Sequence, residues 1–459
     1  MRLDAIELEN FRCFEKLRVT FDPRLTVLVA PNGSGKTAIL SAIRIALWPF
    51  VNSFDQANSA YNDPANTITI DDVLMAVINE HGETSRFLPA RVRVEGELLE
   101  VTEWERYRER TTPRSQTLED VNTKNLRNKA RDLQAYISRP ELSKVALPVF
   151  GYYGTERLWS HKKLTERKKT KTEVVNTLIR TYGYRDCLDP ASSYKAFEDW
   201  YIKAHISHIS ELLKIEQREK RLAFFDRTAF SDRIEVVKTA INIVLEQTEW
   251  RNIAYDANIE ELVLTSEETS LSLKVGQLSD GIRNMIGMVA DIAYRCYQLN
   301  AHLGVDAAKK ATGVILIDEV DMHLHPQWQQ LILKQLQEAF PKIQFIVTTH
   351  SPQVLTTVHR DCIRIIDHAQ VHTAPEGTKG AEASRILERV FGTNNRPPQD
   401  ENTILLNQYL ALVYADQFDE SAALRTQLDA IFGEEEPALT AADLYIENRQ
   451  WELSLEEGQ

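Results

Sequence analysis

The stretch Leu25–Thr37, LTVLVAPNGSGKT, decides how the rest of this chain is read. A short apolar run leads into a loop of the form G-x-x-x-x-G-K-[ST], with Ala30 standing where the first glycine belongs. Gly33 and Gly35 let the backbone wrap so that successive N–H groups converge on an anion, with Asn32 and Ser34 between and beside them. Lys36 adds a point charge for terminal phosphates, and the Thr37 hydroxyl is a ligand for Mg2+. Residues Thr37 to Trp48 have helix-forming character, with Pro49 expected to stop the helix. Such a helix presents its positive N-terminal end to the same anion. A methyl at Ala30 costs little if its φ is negative, and ~1 kcal/mol or more if φ is positive.

Working outward, residues 1 to 30 alternate as strands, with Asp22-Pro23 as a turn. The run ARVRVEGELLEVTEWERY reads as a hairpin centred near Gly96, and LPVFGYYG, Leu147 to Gly154, as a buried strand. These make a first lobe over 1–155. Residues 156–250 turn to long charged runs with apolar residues at helical spacing, an inserted helical arm. Within it Ile202, Ile206, Ile209 and Leu213 keep a 4-3-4 spacing that lapses short of the ~3 to 4 heptads of a coiled coil. Residues 251–370, with the continuous apolar runs GVILIDE and IQFIVTTH, form a second lobe of buried parallel strands. Residues 371–459 read as a C-terminal helical extension, a candidate partner or oligomer contact. The fold class is therefore α/β, with a mixed or parallel sheet.

Three further stretches carry chemistry. In VILIDEVDMHLHP an apolar strand delivers Asp318 and Glu319 to its carboxyl end, where ligands bind in parallel sheets. Asp318 is placed to hold Mg2+ through water, and Glu319 to orient or deprotonate an attacking water. His323 and His325 keep a metal-pair spacing, but no third soft ligand lies near, and a turn packed at a subunit boundary is the simpler reading. In GQLSDGIRNMIGMVADIAYRC, Ser279 is a good N-cap, Gly281 permits close approach, and Ile282, Met285, Ile286, Val289 and Ile292 line one helix face. Alone this would be an ordinary capped core helix. In FIVTTHSPQVL, His350 follows a buried strand, within reach of a γ-phosphate oxygen or attacking water.

Composition narrows the classes. With 54 basic against 67 acidic residues the net charge is −13, so nucleic-acid binding would need a local patch. The sequence HKKLTERKKTK, holding Lys162, Lys163, Arg167, Lys168, Lys169 and Lys171, is such a patch or else a solvated loop. The four cysteines are far apart, which fits neither a zinc site nor a disulfide framework and suits a reducing cytoplasm. No window reaches the ~18 apolar residues of a membrane span, and no membrane partner is expected.

Phosphate loop, inserted helices, LSDG, acid pair and strand-end histidine, in that order, resemble the ABC-type ATPases of the SMC, RecF and OLD group. The resemblance covers roughly residues 1–50 and 270–360. It implies an ATPase head using ATP and Mg2+, in which Ser279 and Gly281 close over ATP held by a second protomer. A head-to-head dimer at least, or a higher oligomer such as a hexamer, follows. NFRCF matches the group's N-terminal motif and makes Arg12 a contact to nucleotide phosphate; Asp321 would communicate between the two sites, and His350 would be the switch histidine. The arm is too short for a DNA-tethering coiled coil, and no D-x-D strand end follows His350, so the OLD type of nuclease is not expected. PVFGYYGTERL, HLHPQWQ and ILERVFGTNNRPP extend the resemblance to the ATPase subunits of Septu antiphage systems. That implies a regulatory ATPase controlling a separate HNH nuclease subunit, with DNA or a phage component as a further partner. The alternatives are a RecF-like DNA-repair ATPase and a nucleotide sensor with negligible turnover.

Overall fold

The N-terminal alternation becomes β1 (Arg2–Phe11) and β2 (Phe14–Thr20), an antiparallel pair that buries Leu3, Ile6, Leu8, Phe11, Leu17 and Val19. In the Asp22-Pro23 turn, Asp22 Oδ1 accepts from the backbone N–H of Arg24 and Leu25 before the chain enters β3 (Leu25–Val29). The computed structural model describes residues 1–57, 64–77, 79, 81–112, 115–137, 139, 144–155, 179–190, 194–221, 226–433 and 435–457. The basic patch at 161–171 lies outside the described residues.

The two largest sheets among the described residues lie in the first compact unit, Met1–Ile386. A small hairpin, β4 (Met75–Val77) with β5 (Thr84–Arg86), precedes β6 (Ala90–Leu98), β7 (Val101–Arg108) and β8 (Leu118–Glu119). An antiparallel sheet takes the order β2-β1-β6-β7-β8. A second sheet uses β9 (Val149–Tyr153), β13 (Gly313–Ile317), β14 (Ile343–Thr348), β15 (Ile363–Asp367) and β16 (Gln370–Thr373) around β3, in the order β16-β15-β3-β14-β13-β9. Its pairs are parallel except for β16 at the edge. Strands β3, β9, β13 and β14 are buried at every position, which is why they read as continuous apolar runs. Between them in sequence, β10 (Trp250–Asp256), β11 (Glu261–Ser266) and β12 (Ser272–Lys274) form a separate three-stranded sheet. Gln344, inside the apolar β14, joins the two large sheets: its amide accepts from Leu3 N–H at 2.9 Å and donates to Leu3 O at 2.8 Å.

Helix α1 (Lys36–Val51) packs on β6 and β7 on one side and touches β14 on the other. It does not stop at Pro49, as expected, but runs through it. A proline there deprives the Ile45 carbonyl of its helical donor. The buried Arg106 guanidinium, from β7, donates to that carbonyl at 2.7 Å and replaces the lost hydrogen bond. Trp104 Nε1 donates to Ala46 O beside it. The β6–β7 hairpin is also displaced from the expected centre. The turn is at Leu99 and Glu100, both with positive φ (50° and 62°), while Gly96 lies within β6. A Cβ at Gly96 would stand 2.3 Å from Arg2 O, so this glycine serves the close approach of β1.

In the 156–250 region the described residues form helices Tyr194–Glu219 and Ala229–Val244. The first buries Phe197, Trp200, Tyr201, Ala204 and Leu212. Trp200 lies against Tyr294 with ring centroids 4.7 Å apart, and Tyr201 OH donates to Ile253 O. The 4-3-4 stripe is turned outward instead, Ile206 and Leu213 being 54% and 52% exposed. No helix among the described residues is long and apolar enough to cross a membrane.

The second compact unit, Leu387–Gln459, holds helices Glu401–Tyr414, Phe418–Phe432 and Pro437–Glu457 around Leu406, Tyr409, Val413, Leu428, Leu439 and Ala442. Asp400 caps the first helix through the N–H groups of Asn402 and Thr403, and Gly433, at φ 84°, ends the second.

Candidate functional site

Parallel strands bring their carboxyl ends to one edge, and the order β3-β14-β13 sets three of the sequence stretches side by side there. The phosphate loop leaves β3. Gly33 and Gly35 have φ of 81° and 88°, a left-handed conformation that other residues adopt at a cost. Gly35 has a second reason to lack a side chain: a Cβ would lie 2.3 Å from Phe14 Cζ and 2.7 Å from Cys13 Sγ, because the β1–β2 turn seats on the loop. Ala30 is buried and is not among the residues with positive φ. Its methyl therefore sits in ordinary backbone geometry. Ala30→Gly is expected to change ATP affinity by less than about tenfold, about 1.4 kcal/mol, measured by titration calorimetry. A larger gain would mark the methyl as an obstruction.

Lys36 is buried at the first turn of α1, and its Nζ donates to Ala30 O at 2.7 Å and Pro31 O at 3.2 Å. Burial pulls its ammonium below the ordinary lysine range, against the opposing pull of the Asp318 and Glu319 carboxylates. Asn32 is exposed and Ser34 half-buried on the loop.

Thr37 Oγ1 donates to Asp318 Oδ2 at 2.8 Å, joining residues that are far apart in sequence. Thr348 Oγ1 donates to the other carboxylate oxygen of Asp318 and accepts from Glu319 N–H at 2.8 Å. Glu319 has φ 50°, a conformation costly for a side chain with a Cβ, and the Thr348 hydroxyl is one of the contacts that hold it. Asp321 accepts from Thr349 Oγ1, and His350 stands half-buried just beyond. The pair Thr348-Thr349 was visible in VTTH but carries no motif of its own, so sequence reasoning passed over it.

A hydroxyl and a carboxylate oxygen in contact at a helix N-terminus are the hard oxygen donors that would hold Mg2+. Among the described residues no group of three or more His, Cys, Asp or Glu is placed to hold a metal ion. His323 and His325 instead shape a turn: His325 caps the short helix Pro326–Gln329, and His323, at φ 62°, places its carbonyl in the space that a side chain at position 281 would fill.

Ser279 occupies the N-cap position of helix Asp280–Leu299, but its exposed side chain makes no capping hydrogen bond. Gly281 meets its close approach within the chain, since a Cβ there would lie 2.3 Å from His323 O. Gly281→Ala is expected to destabilise the unit by about 1–3 kcal/mol, read as a fall in Tm. An unchanged Tm would show that the backbone yields freely there. Arg12, at φ 52°, is held by Asp72, with Nε donating to Oδ1 at 2.8 Å and its own N–H to Asp72 O at 2.7 Å. It lies in the β1–β2 turn, whose Cys13 and Phe14 meet the loop at Gly35, and Asp72 is its partner. That partner was not visible in the sequence.

Residues 25–356 match the family model described as "AAA domain, putative AbiEii toxin, Type IV TA system". The chain belongs to this AAA-domain family. Among curated relatives of this family member, "Retron Ec83 probable ATPase" of Escherichia coli is 40% identical over 43% of this chain and 36% of its own length. The chain thus spans about a third of that relative. "Retron Vc95 probable ATPase" of Vibrio cholerae is 26% identical over 91% of this chain and 85% of its own. "Septu protein PtuA" of Bacillus thuringiensis is 26% identical over 43% of this chain and 48% of its own. Among solved structures, an Smc head domain with an extended coiled coil from Pyrococcus furiosus covers 81% of this chain and 95% of its own at 14% identity, with a TM-score of 0.44.

Proposed function

We propose that this chain binds ATP with Mg2+ at the junction of α1, β13 and β14 and hydrolyses it. The observation that carries this reading is the 2.8 Å contact between Thr37 Oγ1, on the helix that follows the phosphate loop, and Asp318. Thr37 and Asp318 would hold Mg2+, which would supply positive charge to offset the charge that develops on the phosphates. The chain's own groups do the rest. The loop N–H groups and Lys36 hold the phosphates, Thr37 and Asp318 hold the ion, Glu319 takes a proton from the attacking water, and His350 orients that water or a γ-phosphate oxygen. Arg12 contacts a nucleotide phosphate once Asp72 shares it.

The Ser279 hydroxyl, which caps nothing in its own helix, supports a role across a head-to-head dimer, with Asp321 near the boundary. In this reading the site is complete only when a second protomer supplies Ser279 and Gly281. Relatives named as retron ATPases and as Septu protein PtuA support placing the chain in an antiphage defence system. The resemblance read from the sequence adds the proposal that it is the nucleotide-responsive subunit that scaffolds and controls a trans-acting HNH nuclease.

The test is phosphate release by the purified chain, alone and with its neighbouring gene product. ATP turnover with nuclease activity only in the mixture is the expected result. Salt-dependent binding of duplex DNA by the chain alone, with no nuclease in the mixture, would favour the repair reading instead.

A further inference from the structure

Helix Asp280–Leu299 is buried on more than its apolar face: Asp291 and Arg295 are 7% and 6% exposed. Charged groups so placed need partners. Arg295 Nε donates to Asp291 Oδ2 at 2.8 Å, and its Nη1 donates to Gly183 O and Arg185 O. The same Asp291 oxygen accepts from Tyr153 OH at 2.8 Å.

Tyr153 is the last residue of β9 and is 1% exposed. Its backbone carbonyl accepts from Asp318 N–H at 2.8 Å, so one residue holds the main chain of the acid pair and, through its ring, the middle of the Ser279 helix. The strand makes room for that ring. A Cβ at Gly151 would lie 2.9 Å from Tyr153 Cε2 and 3.2 Å from its hydroxyl, which explains the glycine in VFGYY. The helix thus packs closely at Gly281, where the missing side chain leaves room for the His323 carbonyl, and is hydrogen-bonded at Asp291 to Tyr153.

We propose that Tyr153 is a positioning residue for ATP hydrolysis, setting the Ser279 helix in register with Asp318 and Glu319 through its hydroxyl. The inference rests on the ATPase reading above. Since Arg295 still neutralises Asp291 when the phenol oxygen is gone, Tyr153→Phe leaves no unpaired charge and the variant is expected to fold.

The experiment compares wild type, Y153F, S279A and the double variant for ATP affinity, KM, kcat and Tm. Y153F is expected to lower kcat by about tenfold with KM and ATP affinity within about twofold. In the S279A background the same substitution should have little further effect, because both act through one helix. An unchanged kcat in Y153F, or an equal loss in both backgrounds, overturns the positioning role and leaves the ATPase reading standing. Wild type that binds ATP without turnover overturns that reading and this inference together.

Discussion

Lys36→Ala is expected to weaken ATP binding by about a hundredfold or more, close to 3 kcal/mol, measured by titration calorimetry with Mg2+ present. A hydrogen bond from a charged donor contributes about 1.5–3 kcal/mol, and the Lys36 side chain that makes it is largely buried at the head of α1. Its bonds within the chain are to the Ala30 and Pro31 carbonyls of the same loop. Phosphate oxygens would compete with those carbonyls for the same protons. Stability should therefore fall much less than affinity, and a Tm change of more than a few degrees would mean that Lys36 is chiefly a structural clasp. An affinity within about threefold of wild type would place the phosphates elsewhere.

Glu319→Gln should leave ATP binding within about threefold of wild type and lower single-turnover phosphate release by about 10²–10⁴-fold, the range expected for loss of a general base. The substitution keeps side-chain size and the positive φ that the Thr348 hydroxyl helps to hold, so the geometry around Asp318 should persist. ATP-bound dimer should then accumulate, as light scattering on a sizing column would detect. Phosphate release at the wild-type rate, with ATP still bound, would remove Glu319 as the base and exclude catalysis by this site.

The phosphate loop, the acid pair and His350 were legible because each is local. A glycine with positive φ, a lysine at a helix start and acids at a strand end are written in adjacent residues, and their order along the chain made the resemblance. The failures at Pro49 and Gly96 share a different cause. Pro49 leaves a carbonyl without its helical donor, and here Arg106 supplies one from a strand far along the chain. Gly96 looked like a turn, but its lack of a side chain serves the backbone of β1. Arg12 shows the same limit: its motif was readable, its partner Asp72 was not.

By itself the sequence determined that strand, glycine-rich loop and helix follow one another, that Asp318, Glu319 and His350 stand just beyond strand ends, and that these runs are buried strands. Only the tertiary structure decided that Thr37 meets Asp318, that Thr348 holds Glu319, that the apolar stripe Ile206, Ile209 and Leu213 faces outward, and that Tyr153 ties Asp291 to the acid pair. The physical reason is range. Backbone conformation and helix polarity are set by neighbours in the chain, whereas a buried hydroxyl, carboxylate or carbonyl is satisfied by whatever strand pairing brings beside it.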